Sequence, residues 1–351
     1  MKFSVIITVF NTNADYLREC IDSVLSQSNN DVEMIIVDDG STSLSTLAVL
    51  DEYEGIDNLE GKTLYIKHKQ NGGQGSARNV GLSLVTGDYV LFLDSDDYYM
   101  APTFFCGLSE LLTESRADVL SFQYEEFFDE RKRPKLKDGD LLREKVFGQP
   151  ADIAAKALLS APRSVFSAAT HTKAIRLGFL RDNNITAVEG LSNEDISLTA
   201  MILHHAGSYD RYNKVVYAYR RTNIKSISAG AANSLNIVHD VLKQFNLLLS
   251  NEGYKNNENV LDFLSSPFVY WLGKMISASA STNESNKALY NECVNMGRSF
   301  SYILNYSSRS YVRLLGVLMK IFGLGFVMFL LKIFLTLNSK HMLSMHRKVI
   351  T

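Results

Sequence analysis

Residues Phe3 to Phe10 form a short, β-branched apolar run that stops at Asn11-Thr12-Asn13. A run without polar alternation predicts a strand buried on both faces. From Asp15 to Gln27 the apolar positions change period: Leu17, Ile21, Val24 and Leu25 recur at helical spacing. A second apolar run, Val32 to Val37, stops at Asp38-Asp39-Gly40-Ser41. A short helix is expected over 44–53 and a third strand over Thr63 to His68. The glycine-rich Asn71 to Gly75 leads into a helix over about 76–84. A fourth strand, Tyr89 to Leu93, runs into Asp94-Ser95-Asp96-Asp97.

Strands alternating with helices predict βαβ units and a mostly parallel sheet. Such sheets bind ligands beyond the carboxyl ends of their strands. The polar ends at Asn11, Asp38-Asp39 and Asp94-Ser95-Asp96 are therefore expected to converge on one cleft. Residues 125–145 are densely charged and read as a solvated loop. Residues 151–159 read as helix, and 164–175 and 215–219 as strands. A further helix is expected from Asn193-Glu194-Asp195 to about His205, with Asn193 as its N-cap. The pattern is helical from about 234 to 306.

Composition narrows the class. A chain of 351 residues, 46 % hydrophobic and 21 % charged with only 5 Pro, is neither disordered nor a Pro-rich linker. Cys20, Cys106 and Cys293 form no CxxC, which points to three reduced thiols. The overall charge of −2 hides an asymmetry. Residues 293–351 hold eight Lys/Arg and no acid, leaving 28 basic against 38 acidic residues before them, a net of −10. That profile excludes a nucleic-acid binder and suggests a tail that meets an anionic membrane surface. The first apolar run lacks a small-residue cleavage site, so the body is expected in the cytoplasm.

Three segments carry chemistry. Alternation places Asp94 and Asp96 on one side of an extended segment. Two carboxylates there repel unless a cation joins them, and hard oxygen ligands suit Mg²⁺ or Mn²⁺ bound together with phosphate oxygens. A solvated acidic turn is the plain alternative. Asp38-Asp39-Gly40-Ser41 offers carboxylates to a base or ribose, or is a simple Asp-Gly turn. Asn71 to Gly81 presents backbone N–H groups at a helix N-terminus, with Arg78 as a fixed positive fork. It is neither a Walker loop nor a dinucleotide fingerprint.

Thr8-Val9-Phe10-Asn11, Asp38-Asp39-Gly40-Ser41, Asn71 with Gly75 and Ala77-Arg78-Asn79-Val80-Gly81, Gly87-Asp88-Tyr89 with Asp94-Ser95-Asp96-Asp97, and Glu194-Asp195 occur in order. Together this set resembles a family 2 glycosyltransferase of the GT-A fold, of the bacterial capsule, exopolysaccharide or O-antigen type. The resemblance covers about residues 1–230. It implies a GT-A domain over 1–230, with a nucleotide-sugar half to about 100 and an acceptor half beyond. A helical region (231–306) and a basic apolar tail (307–351) follow. It also implies that Thr8, Phe10, Asn11, Asp38, Asp39, Arg78, Asp94 and Ser95 meet a nucleotide-sugar donor, that Asp96 holds Mn²⁺ or Mg²⁺, and that Asp195 is the catalytic base. Phe10 stands where the family often has Tyr, which keeps a stacking ring. Tyr217 to Ser228 resembles the family's YxYRxxxxSI segment, so Tyr219, Arg220, Arg221 and Ser226, with Glu194 and Lys173, are candidate acceptor or diphosphate contacts.

The expected activity is inverting, metal-dependent transfer from a UDP-sugar to a glycan hydroxyl. The expected acceptor is a polyprenyl-diphosphate-linked saccharide. A metal-dependent phosphatase or nucleotidyltransferase, and a non-catalytic nucleotide-sugar-binding protein, are the alternatives. In the tail, residues 312–337 are the most apolar stretch, but the longest uncharged run, Ile321 to Leu331, is shorter than the roughly 20 residues a span needs. Interfacial helices bent at Gly323-Leu324-Gly325, lying on the inner face of the cell membrane, are expected.

Overall fold

The computed structural model describes residues 1–29, 31–54, 62–139, 141–162, 166–223, 235–279 and 284–337. It divides the chain into two compact units. The first comprises Met1–Leu158, Ser164–Gly190 and His205–Ile224, and the second Leu159–Arg163, Leu191–His204 and the chain from Lys225 on.

The first unit opens as the apolar pattern predicts: β1 (Phe3–Val9), α1 (Ala14–Leu25), β2 (Val32–Asp38), α2 (Leu44–Glu54), β3 (Thr63–His68), α3 (Gln74–Leu84) and β4 (Tyr89–Asp94). It continues with β5 (Tyr98–Tyr99), α4 (Phe104–Ser115), β6 (Val119–Phe127), β7 (Lys137–Asp138), α5 (Ala151–Ser160), β8 (Lys173–Arg176) and α6 (Leu177–Asp182). After α7 (Asp195–His205) comes β9 (Tyr209–Arg220). The sheet order is β3-β2-β1-β4-β8-β6-β9-β5, with β7 beside β9. Strands β3, β2, β1 and β4 pair in parallel. Strand β8 runs antiparallel to both β4 and β6, while β6 and β9 are parallel.

Strand β1 is a continuous apolar run because both of its faces are covered. Val5, Ile7 and Val9 pack with Leu17, Ile21 and Val24 of α1 and Val49 of α2. Ile6 faces α3, so close that a Cβ at Gly81 would lie 2.5 Å from its side chain. Only a glycine lets the helix approach to that distance.

Two expectations are corrected here. The charged segment 125–145 is not one loop: β6 ends in it, and it includes β7 and 3-10 turns at Glu130–Lys132 and Leu141–Lys145. Glu125 and Glu126 disguise β6 because they lie on its half-buried end, while Val119 to Phe122 are buried. The strand expected over 164–175 shrinks to β8. Its first part is a 3-10 turn at Thr170–Thr172, and 163–165 lie outside the described residues.

Glu33 is a buried acid inside β2. It accepts bonds from Lys2 Nζ, Ser4 Oγ, and the Thr86 hydroxyl and amide. Burial works to raise its pKa, but these donors outweigh burial and hold it at about 2. A depressed carboxylate pKa stabilises the fold above the unfolded value, about 4.3, and that contribution is lost as pH falls through the folded value. Between about pH 4.5 and pH 2 the protein is expected to lose about 3 kcal/mol through this group, because a tenfold difference in proton affinity between the folded and unfolded states is worth about 1.4 kcal/mol. Urea unfolding across that window should show a shallower pH slope for Glu33→Gln than for the wild type; equal slopes would remove Glu33 as the cause.

The second unit is helical: α7, then α8 (Leu235–Leu249), α9 (Glu252–Lys255), α10 (Glu258–Ser279), α11 (Glu284–Phe300) and α12 (Ser310–Leu337). Helix α7, expected in the catalytic half, groups with this unit. Asn193 does not cap it by its side chain. The residue takes a left-handed φ of 60° and offers its carbonyl to the Ile196 amide. Helix α12 breaks where expected, at Gly323, whose φ of 79° is open to glycine. Ser310–Ile333 is long and apolar enough to cross a membrane, with a mean hydropathy of 2.4. Leu314, Val317, Ile321, Phe322, Phe326 and Phe329 on it are exposed.

Candidate active site

The polar strand ends do converge. Thr8 stands in register with Val37 and with Asp94, and Asp38 with Val9 and His68. Parallel strands in register place such residues on neighbouring strands about 4.8 Å apart.

The end of β2 is built around two buried carboxylates. Asp38 accepts the Ser41 amide at 3.0 Å and faces His68 Nδ1 at 3.0 Å. The Asp39 amide donates to the Val9 carbonyl, which fixes residue 39 beside Phe10. Its carboxylate Oδ1 accepts Lys69 Nζ and the Gly72 amide, and Oδ2 accepts the Gly73 amide at 2.8 Å. Asp39 thus anchors the glycine-rich loop. Gly40 makes this possible: its φ is +78°, and a Cβ there would lie 2.8 Å from the Asn71 amide nitrogen. Phe10 is 51 % exposed. Asn11 holds the next turn, its Oδ1 accepting the Thr42 and Ser43 amides at 2.8 Å each. Ser95 bonds the Thr12 hydroxyl at 2.7 Å, tying the ends of β1 and β4 together.

Four side chains surround Asp94. Its Oδ1 accepts Gln74 Nε2 at 3.0 Å and Arg78 Nη2 at 3.4 Å. His171 Nδ1 approaches Oδ2 to 3.2 Å, off the line of a well-formed hydrogen bond. The Tyr217 hydroxyl lies 3.4 Å from its amide. Burial raises the Asp94 pKa, but His171 and Arg78 outweigh it and hold the group at about 2. Arg78 is itself buried and lies over the Phe92 ring.

Asp96 is different. It is half-buried, and its Oδ2 accepts Asn223 Nδ2 at 2.8 Å. Among the described residues it has no ion-pair partner, whereas Asp38, Asp39 and Asp94 each face a cationic or imidazole group. Burial and the Asp94 charge push its pKa up. Asp97 is fully buried, accepting the Tyr217 hydroxyl at 2.6 Å and the Arg220 amide at 2.7 Å. Burial and its acidic neighbours push it further up. A cation beside Asp96 would relieve this repulsion. No cluster of three or more His, Cys, Asp or Glu among the described residues could hold a metal alone. Mg²⁺-type sites need only one or two protein carboxylates, completed by waters and substrate phosphates.

Several expected contacts are placed elsewhere. All three guanidinium nitrogens of Arg220 are engaged: Nε with the Asp96 carbonyl at 2.8 Å, Nη1 with Glu130, Nη2 with Glu19. Its fork therefore braces the acidic turn from within. Lys173 is fully buried, its Nζ donating to the Ser167 and Ala169 carbonyls at 2.8 and 2.7 Å, not to an open cleft. Arg221 Nη1 lies 3.2 Å from the Tyr219 hydroxyl, and the half-buried Tyr219 ring stands 5.4 Å from His171. Ser226 lies outside the described residues. Glu194 and Asp195 belong to the second unit, where Glu194 is buried and the half-buried Asp195 opens α7.

Gln74 and the role of His171 were not legible in the motifs. His171 stacks on Tyr217 at 4.5 Å and 14°, far from Asp94 in sequence. Lys69 carries no motif signal beyond standing ahead of the glycine-rich loop.

Comparison with known proteins follows the same line. The sequence model described as "Glycosyl transferase family 2" matches residues 4–179. Glycosyltransferase GlyA of Streptococcus pneumoniae serotype 4 is 36 % identical over 126 residues, which is 36 % of this chain and 17 % of GlyA. The poly(ribitol-phosphate) beta-N-acetylglucosaminyltransferase TarS of Staphylococcus aureus is 30 % identical over 203 residues, 57 % of this chain and 32 % of TarS. The chain thus spans a third or less of these two relatives. It aligns with 70 % of an uncharacterized Escherichia coli glycosyltransferase, YibD, at 27 % identity over 70 % of its own length. The crystal structure of TarS 1–349 in complex with UDP-GlcNAc superposes with a TM-score of 0.69 at 22 % identity, over 93 % of this chain and 90 % of that one.

Proposed function

The chain belongs to glycosyl transferase family 2, and from that premise we propose that it moves a sugar from a UDP-sugar to a glycan hydroxyl with inversion at the anomeric carbon. As a glycosyltransferase of the GT-A fold it is neither a phosphatase nor a nucleotidyltransferase, and a purely binding role is set aside. The observation that carries the reading is Asp96: a half-buried carboxylate at the sheet's ligand end with no ion pair among the described residues, whereas Asp38, Asp39 and Asp94 each face a cationic or imidazole group.

In this reading Phe10, Thr8 and Asp39 hold the nucleobase and ribose, with Asp38 and Asn11 fixing the turns around them. Asp94, held by Arg78, Gln74 and His171, meets the ribose or donor sugar. Asp96 is the residue that would hold Mn²⁺ or Mg²⁺ at this site. The metal, when bound, supplies neutralisation of the charge that develops on the leaving diphosphate. Arg220 and Ser95 keep the acidic turn in place. Asp195 takes the proton of the attacking hydroxyl. One base suffices for a single displacement, and a single displacement inverts the centre.

That TarS acts on poly(ribitol-phosphate) and is seen with UDP-GlcNAc supports a UDP donor and a cell-surface polymer. We place the acceptor on a polyprenyl-diphosphate carrier. The enzyme then works at the inner face of the cell membrane, with α12 in the interface. The exposed apolar residues of α12 and the eight basic residues from 293 on, unopposed by acids, support that location. Residues 1–230 are proposed as the catalytic domain, 231–306 as its helical extension and 307–351 as the anchor.

A ligand that binds only the folded state raises its melting temperature. UDP with Mn²⁺ is expected to stabilise the wild type by several degrees, and chelator or Asp96→Ala to abolish the shift. An equal shift in Asp96→Ala, or none with any nucleotide in the wild type, would overturn the reading.

A further inference from the structure

Lys69 makes two hydrogen bonds from its ammonium: one to Asp39 Oδ1 and one to the Gln70 carbonyl at 2.6 Å. An ammonium has three N–H donors, so one is left. The Asp39 carboxylate has about four acceptor positions and uses three, on Lys69, Gly72 and Gly73. One acceptor is therefore also left. Both groups are largely buried, with side-chain exposures of 17 % for Lys69 and 5 % for Asp39. The spare acceptor is on Oδ2 and the spare donor on the ammonium that binds Oδ1 of the same carboxylate. The Val9 carbonyl that accepts the Asp39 amide belongs to the residue before the half-exposed Phe10.

We propose that Lys69 is a specificity-determining residue of the donor site, pairing with Asp39 to form a two-point reader of the nucleobase edge. The Asp39 acceptor takes a ring N–H and the Lys69 donor takes the adjacent ring carbonyl. Uracil presents that order, N3–H beside C4=O. Cytosine presents the reverse, a bare N3 beside an amino group, so both points face like against like. Rejection is strong because buried polar groups are then left unpaired. The loop geometry holds the pair in place: a Cβ at Gly72 would lie 3.0 Å from Lys69 Nζ. This inference rests on the nucleotide-sugar reading above and adds to it the residue that chooses the base.

The test is calorimetric titration of the full chain with UDP and with CDP, in Mn²⁺, for the wild type, Lys69→Met and Lys69→Arg. The wild type should prefer UDP. Lys69→Met should weaken UDP about tenfold, the scale of one charge-assisted hydrogen bond, and leave CDP nearly unchanged, so that the preference collapses. Lys69→Arg, which keeps a donor, should retain most of the preference. The ratio of the two affinities does not depend on the fraction of variant that is folded. If Lys69→Met weakens UDP and CDP alike, Lys69 only anchors the loop and the inference fails. If the preference survives intact in Lys69→Met, it also fails. If the wild type binds neither nucleotide, the donor reading itself has failed, and that outcome is distinct from the other two.

Discussion

Asp195→Asn is expected to slow sugar transfer by about 10² to 10⁴-fold, the range a positioned general base contributes. The change keeps the size and hydrogen-bonding shape of the side chain and removes only its capacity to take a proton. Asp195 is half-buried at the first turn of α7, a helix whose inward residues, among them Ile196, Leu198 and Ile202, are buried. The helix should therefore form unchanged. Donor affinity is expected to stay within about twofold, since no donor contact is assigned to this residue. A drop in turnover at constant affinity is the mark of an interaction made only on the way to the transition state. Steady-state rates on a surface-polymer acceptor, with UDP binding measured in parallel, separate the cases. Retained turnover would remove Asp195 from the base role. A loss of UDP binding would instead show that the residue shapes the donor site.

How much of this was legible in the sequence depends on the range of the interactions. The elements from β1 to β4 are nearly where the apolar pattern puts them, because β1, β2 and β4 are buried on both faces and α1 is amphipathic over its length, while the edge strand β3 keeps only an alternation of exposed and half-buried positions. The convergence of Asn11, Asp38 and Asp94 follows from parallel register alone. What the pattern hides are elements whose burial changes along their length. Strand β6 is buried from Val119 and carries Glu125 and Glu126 near its end, so half of it looks like loop. The motifs also name residues without saying which way they point. Arg220 and Lys173 carry charge in a segment that suggested phosphate contacts. Each instead finds its partners inside the fold, Arg220 on Glu19 and Glu130 and Lys173 on backbone carbonyls. Glu19 on α1 and Glu130 in a 3-10 turn carry no signal that they meet at Arg220. Conversely, Asp39 looked like a ligand residue and is also the anchor of the glycine-rich loop.

Arg220→Met should have the largest effect on stability of any single change near the site. The guanidinium is fully buried, bonds Glu19 and Glu130, and lies 4.0 Å over the Tyr16 ring. Removing one partner of a buried ion pair costs about 3–5 kcal/mol because the remaining charge is stranded. Glu19 and Glu130 are 28 % and 36 % exposed, so water recovers part of that cost, and about 2–4 kcal/mol is expected. Urea unfolding would read it. Arg220 has a second consequence, because its Nε holds the Asp96 carbonyl and its amide holds Asp97. The two roles can be pulled apart. In Arg220→Met combined with Glu19→Gln and Glu130→Gln the stranded charges are gone, and most of the stability should return. The acidic turn would still lack its brace, so the concentration of Mn²⁺ needed for half-maximal transfer should remain raised. If the triple variant recovers both stability and metal affinity, Arg220 serves only its two carboxylates. If metal affinity stays weak while the fold is restored, the arginine positions Asp96 for the cation, and the buried ion-pair network is part of the catalytic apparatus.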